Sequence, residues 1–391
     1  MDHQQKGLLT LIRSAITSQP LPLPEGFDLE GTHNQIKYHE IVPLTYEGAL
    51  LCGISKKTPA MNLLFQDYCR FFMRSEEQMQ AIARIYDAFD ANGIDYLPVK
   101  GCNMKPLYPK PELRVMGDAD ILIRMEQYSQ IVPIMESLGF EATQESDHEY
   151  IWRSKELYLE LHKRLIPSYN EDFYSYFGDG WRLAKIQEGC RYKMLPEDEF
   201  VYLFTHFAKH YRDGGIGCRQ VVDLWIFRRA FPQLDEAYIK QELEKLQLFR
   251  FYQNICRLIE VWFQDGQADE TTDFISDFIF QSGTWGTAHS HVLSSEVKNK
   301  KIAGSAKGGK LRTVCSVVFP TALSMQKEFP VLKSAPYLRP VLWPVHWGKT
   351  ILFRRDAIQK RLNQWNGASA EEITTYEQAL NYVGLDFHFT E

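Results

Sequence analysis

Apolar positions recur at helical spacing through the first quarter of the chain. Leu8, Leu9, Leu11, Ile12 and Ile16 share one helix face, as do Met79, Ile82, Ala83, Ile85, Tyr86 and Phe89. Pro20, Pro22 and Pro24 break the early run. Asn92-Gly93 closes the last one, glycine accepting the left-handed backbone of a helix end. From Ile94 the period changes. Residues 94–99 and 120–123 are short apolar runs bounded by turn residues, and 125–138 is helical up to Gly139. Residues 140–143, 150–153 and 157–161 read as brief strands. After Pro167 the pattern is helical again, over 197–208, 218–231 and at least one run within 237–264. This order predicts an α+β fold, with a small mixed β-sheet core at 91–166. An N-terminal helical region (1–90) and a C-terminal mainly helical domain (167–391) flank it. The Lys-, Gly- and Ser-rich stretch 294–312 reads as a mobile surface loop, and 349–365 as a basic helix packed on the body.

Composition narrows the class. With 391 residues, 45% hydrophobic and 24% charged, the chain has the balance of a soluble globular protein with two or three domains. A net charge of −6 argues against a partner held by clustered cations, so no stable duplex nucleic acid is expected. The seven cysteines are scattered singly and odd in number, with no C-x-x-C pair. They make neither a disulfide framework nor a zinc site, and they suit a reducing cytoplasm. The N-terminus has no secretory pattern, and no run of about 18 apolar residues predicts a membrane span.

The chemistry concentrates between residues 96 and 162. In extended backbone Asp118 and Asp120 point to one face, and two carboxylates that close repel unless a cation or proton lies between them. Alone, the pair also fits a polar turn ahead of a buried strand. Further on, Leu157, Leu159 and Leu161 share one face of a strand, while Tyr158, Glu160 and His162 share the other. If the strands are neighbours, Glu160 projects where the aspartates project. Three convergent carboxylates suit two divalent cations of the Mg²⁺ or Mn²⁺ kind, a nucleoside triphosphate (NTP) and an in-line displacement. One acid of such a set takes the acceptor's proton.

Other residues stay open between two readings. Lys100 either contacts phosphate or is a surface lysine ending a strand. Arg114 either binds phosphate or pairs with Asp118 or Glu112, and Tyr108 either stacks on a base or packs locally. His162 either touches the acceptor or a metal-bound water, or is hydrogen-bonded within the sheet. His206 and His210 lie one helical turn apart without the glutamate of an H-E-x-x-H motif, so lining the cleft or pairing with Asp223 is favoured over zinc. Arg219 and Asp223 have the spacing of an ion pair or of a substrate-selecting face.

Lys100-Gly101, Leu107-Tyr108-Pro109, Arg114 and Gly117-Asp118-x-Asp120 together resemble the polymerase-beta-like nucleotidyltransferase superfamily. More narrowly, they resemble a bacterial nucleotidyltransferase family with a K-G…L-Y-P…R…D-x-D pattern. Glu160-Leu161-His162 matches its acidic-x-His element, and His206, His210, Arg219 and Asp223 match its later helical part. The resemblance implies transfer of a nucleoside monophosphate from an NTP to an acceptor, with pyrophosphate released. Asp118 and Asp120 would share two Mg²⁺ or Mn²⁺ ions, Glu160 would complete the site, and Lys100, Gly101 and Arg114 would face the nucleotide. His162, His206, His210, Arg219 and Asp223 would line or back the acceptor side. The acceptor is an unidentified small molecule, protein or RNA. Two departures stand out: Cys102 replaces the usual small residue after the glycine, and Asp118 lies 17 positions beyond Gly101, a longer gap than usual. Two further classes remain, a catalytically inactive nucleotide- or sugar-nucleotide-binding regulatory module and a metal-dependent phosphohydrolase. The phosphohydrolase lacks its H-D or H-x-H-x-D cluster.

Overall fold

Alternation of side chains along two strands decides how this chain is layered. In β2 (Ala119–Ile123) and β5 (Tyr158–His162), Ala119, Ile121, Ile123, Leu159 and Leu161 point to one side and are fully buried. Ala81, Ile82, Ile85 and Phe89 of helix α4 (Pro59–Ala91) pack on that side, with Ile131 and Met135 of α6 (Tyr128–Ser137) and Trp152. Each buried Ile, Leu, Met or Phe among them contributes about 1.5–3 kcal/mol by leaving water. Asp120, Glu160 and His162 therefore face the other way.

A computed structural model of the chain describes residues 1–284, 286–304, 319, 322–353 and 369–388. Before α4 come α1 (His3–Thr17), α2 (His33–Tyr38) and α3 (Val42–Leu51). Strand β1 (Tyr96–Val99) runs into the one-turn helix α5 (Gly101–Met104). Two 3₁₀ turns then lead to β2, and α6 is followed by β3 (Glu141–Glu145), β4 (Glu149–Arg153) and β5. The mixed α/β architecture matches the sequence reading, with helical regions flanking one mixed sheet.

The sheet is larger than expected. After α7 (Glu171–Phe177), strands β6 (Lys185–Glu188) and β7 (Arg191–Lys193) complete the order β3-β4-β5-β2-β1-β7-β6. β1 is antiparallel to β2 and parallel to β7, while β2 and β5 are parallel with Asp120 directly opposite Glu160. Helices α8 (Pro196–Asp213), α9 (Cys218–Ala230), α10 (Glu236–Lys245), α11 (Phe249–Phe263) and α12 (Glu270–Ser282) follow. α13 (Ala288–Ala303), α14 (Ala322–Glu328), α15 (Arg339–Phe353) and α16 (Ala370–Val383) come last.

Two compact units emerge from the contacts: Met1–Tyr211 with Gly215–Trp285 and Val383–Glu391, and Arg212–Gly214 with Gly286–Tyr382. The loop expected over 294–312 is corrected over its first part, since 294–303 belongs to α13 and Leu293 and Val297 are buried there. Gly304 caps that helix, residues 305–312 lie outside the described residues, and so does 354–365 of the expected basic helix. Its beginning, 349–353, is the end of α15, which runs through Pro344. Among the described residues, no helix is long and apolar enough to cross a membrane.

Candidate active site

The turn out of β1 places the first charge. Lys100 adopts φ 50° and ψ −117°, a conformation L-residues rarely hold, and its side chain is only 17% exposed. The surface-lysine reading is therefore wrong: Lys100 Nζ donates to Asp120 Oδ1 at 2.7 Å. Gly101 follows because a Cβ there would lie 2.9 Å from Met116 Sδ and 3.0 Å from Arg114 Nη1. Cys102 is buried behind it, and burial pushes its thiol up to about 12, so the departure from a small polar residue leaves a neutral thiol.

Asp120 is the centre of the cluster. His162 Nε2 donates to the same Oδ1 at 2.8 Å and lies 3.4 Å from Glu160 Oε2. One ligand-bearing atom each from Asp120, Glu160 and His162 fall within 4.8 Å of one another. Of the three acids expected to converge, Asp120 and Glu160 meet in this group; Asp118, one residue ahead of β2, is not a member of it. Burial alone would raise the Asp120 pKa, but the Lys100 charge and the His162 bond outweigh it and hold the carboxyl well below its usual range. Lys100 is likewise held well above its usual value, burial being outweighed by Asp120. Asp118 feels Lys100 and Arg219 too, but they do not offset the rest. Burial, then Asp120 and Glu160, pushes it up to about 7. Of the three acids, Asp120 is held ionised by Lys100 and His162, whereas Asp118 is pushed toward its protonated form.

Helix α8 brings residues the sequence reading passed over. Tyr202 is buried with its hydroxyl unpartnered among the described residues, within electrostatic reach of Lys100, Asp120 and Glu160. Glu199, one turn earlier, accepts from Asn103 Nδ2 at 2.7 Å, and burial raises its pKa. His206 and His210 meet at Nε2···Nε2 3.1 Å. Burial, then His210 and Lys100, hold His206 well below its usual value, which favours a neutral His206 ring. The available signal was a polar stripe, Glu199, Tyr202, His206 and His210, on a helix otherwise rich in buried aromatics.

The pairings considered for Arg114, Arg219 and the α8 histidines are corrected. Arg114 does not reach Asp118 or Glu112; it grips Asp223 with two bonds, Nε–Oδ1 and Nη2–Oδ2, both 2.8 Å. Tyr108 is buried and donates to Asp223 Oδ1 at 2.7 Å, so local packing describes it. Asp223 thus pairs neither with Arg219 nor with the α8 histidines. Arg219 instead donates to the Val115 carbonyl at 2.6 Å and lies 3.2 Å from Glu40. Lys105, which the sequence did not single out, is buried and donates to Ser75 Oγ and to the carbonyls of Pro111 and Arg114. It pins the loop that leads into Asp118.

A groove of about 730 Å³ is lined by Arg70, Arg74, Arg153, Lys155, Tyr158 and Gly117, the last preceding Asp118 in the chain, among others. Tyr158 feels both Glu160 and Asp118 electrostatically, which ties the groove to the cluster.

The profile of a family described as "Uncharacterised nucleotidyltransferase" matches residues 25–264, more than half of the chain and all of the cluster. No curated protein and no solved structure matches the chain.

Proposed function

Because the chain belongs to the uncharacterised nucleotidyltransferase family, we propose that it transfers a nucleoside monophosphate from an NTP to a hydroxyl-bearing acceptor. The observation that carries this reading is that Asp120 and Glu160 stand directly opposite on β2 and β5, with ligand-bearing atoms within 4.8 Å and Asp118 one residue ahead of β2. The donor set of carboxylate oxygens fits a hard divalent cation, Mg²⁺ or Mn²⁺, and the twin-ion arrangement of the polymerase-beta-like superfamily is the form we favour. Asp118, Asp120 and Glu160 would hold the ions, which would offset the triphosphate's charge when bound.

The chain's own residues carry the rest. Glu160, 17% exposed and opposite Asp120, takes the acceptor's hydroxyl proton. The acceptor oxygen then bonds to the α-phosphorus, the bond to the bridging oxygen breaks, and pyrophosphate departs. Lys100 and His162 keep Asp120 ionised throughout. Arg70, Arg74, Arg153 and Lys155 give the groove the charge to hold phosphates or an anionic acceptor. The acceptor is a small molecule, a protein or an RNA, and the core is assigned to 91–166 with β6 and β7 added.

A second reading has its own support. Lys100 Nζ sits against Asp120 Oδ1, where a regulatory module that binds nucleotides or sugar nucleotides without turnover would keep an internal cation. Incubation with α-labelled NTPs, Mn²⁺ and cell extract separates the two. Labelled acceptor with matching pyrophosphate, lost in Glu160→Gln while nucleotide still binds, supports transfer. Nucleotide binding with no pyrophosphate under any condition overturns it in favour of the second reading.

A further inference from the structure

We propose that β4 and β5 carry a separate site for a borderline-soft divalent metal of the zinc class, built from His148, Glu149 and His162. Glu149 and His162 are directly opposite in the antiparallel β4–β5 pair and so share a face. His148 precedes β4, and its Nε2 lies 2.8 Å from Glu149 Oε2. One ligand-bearing atom from each of the three falls within 4.8 Å of the others.

The hydrogen bonds around the cluster sort ligand atoms from supporting ones. His162 Nε2 is committed to Asp120 Oδ1 at 2.8 Å, while its Nδ1 is buried without a partner among the described residues. His148 Nδ1 is 3.2 Å from Ser146 Oγ, which leaves Nε2 as the ligating atom. Metal-bound histidines generally anchor the other ring nitrogen on a carboxylate, carbonyl or similar acceptor, and both rings here are anchored that way. Two imidazoles and one carboxylate select zinc-class ions over Mg²⁺, and they leave a tetrahedral position open. This donor set differs in kind from the oxygen-only trio, although His162 backs both. An ion here would fix the His162 tautomer that donates to Asp120, so occupancy would couple to the acidic cluster. The inference does not depend on the transfer reaction.

The test is a Co²⁺ titration of the whole chain with Mg²⁺ in large excess, read by the visible absorption of bound Co²⁺. One equivalent should stay bound, be displaced by Zn²⁺, and survive in Asp118→Asn. His148→Ala and Glu149→Gln should each weaken it at least about tenfold, with His148→Gln as the size-matched variant if alanine disturbs folding. Displacement of Co²⁺ by Mg²⁺, equal binding by the folded His148 variants, or no bound Co²⁺ at all would each overturn the site.

Discussion

Lys100 shows most directly how a single residue serves the cluster at a conformational cost. Positive φ on an L-residue costs on the order of 1 kcal/mol or more, and glycine removes that cost. Its charge, however, offsets the buried Asp120. Lys100→Gly should therefore be more stable than Lys100→Ala by about 1 kcal/mol, while both fall below the native protein in urea denaturation because Asp120 loses a cation. Equal stability of the two variants would mean the turn is unstrained. Asp118 behaves in the opposite sense. Its neighbours repel it, so Asp118→Asn should keep or raise the melting temperature while abolishing any rise produced by Mn²⁺ with NTP. A large loss of stability would instead make Asp118 a structural acceptor. At this scale the sequence showed the acids and the alternation that aims Glu160 with them. It did not show that Arg114 seeks Asp223, because that partner is set by how α9 packs, 109 residues away.

Among elements, His39 joins three helices through one ring. Its Nδ1 accepts from the Cys218 N–H at the start of α9 at 3.4 Å, and its Nε2 donates to the Phe280 carbonyl in α12 at 3.3 Å. Burial lowers its pKa to about 4, the carbonyl bond only partly opposing this. The folded-state pKa lies below the unfolded value of about 6.5. The stabilisation from this neutral ring is therefore complete above that pH and is lost as pH falls toward 4, about 3 kcal/mol in all. Urea midpoints at pH 7, 5.5 and 4 should fall accordingly, with a flatter slope in His39→Gln; parallel slopes would show that His39 is not the titrating group. Helices with an apolar stripe were legible in the sequence, as were strands with strict alternation. β6 was not, because all four of its residues are exposed and it carries no alternating apolar face. Residues 294–303 of α13 read as a loop for a similar reason: their polar surface hides the few buried positions, and Lys300 reaches Glu377 of α16 only in the folded chain.

For the molecule as a whole, the Arg114–Asp223–Tyr108 node joins the loop before β2 to α9, within the unit that holds the sheet. Removing Asp223 leaves the buried Arg114 charge without its counterion. Asp223→Ala should cost about 3–5 kcal/mol and reduce transfer through Asp118, which lies on the same loop. Unchanged urea stability would show that the node is solvated. The sequence marked where the sheet begins and placed the acids, but the node and the last two strands depend on contacts between distant segments. No periodicity records these.

The parallel pairing of β1 with β7 bears on how the protein is made. Tyr96 N–H bonds to the Cys190 carbonyl at 3.0 Å, so the flank of β1 stays open on the ribosome until nearly a hundred further residues have been translated. Meanwhile its backbone donors and acceptors are a template for any extended neighbour. Nascent chains halted before residue 185 should cling to chaperones or to one another, whereas chains halted beyond α8 should not. Light scattering of released, arrested fragments would reveal the difference.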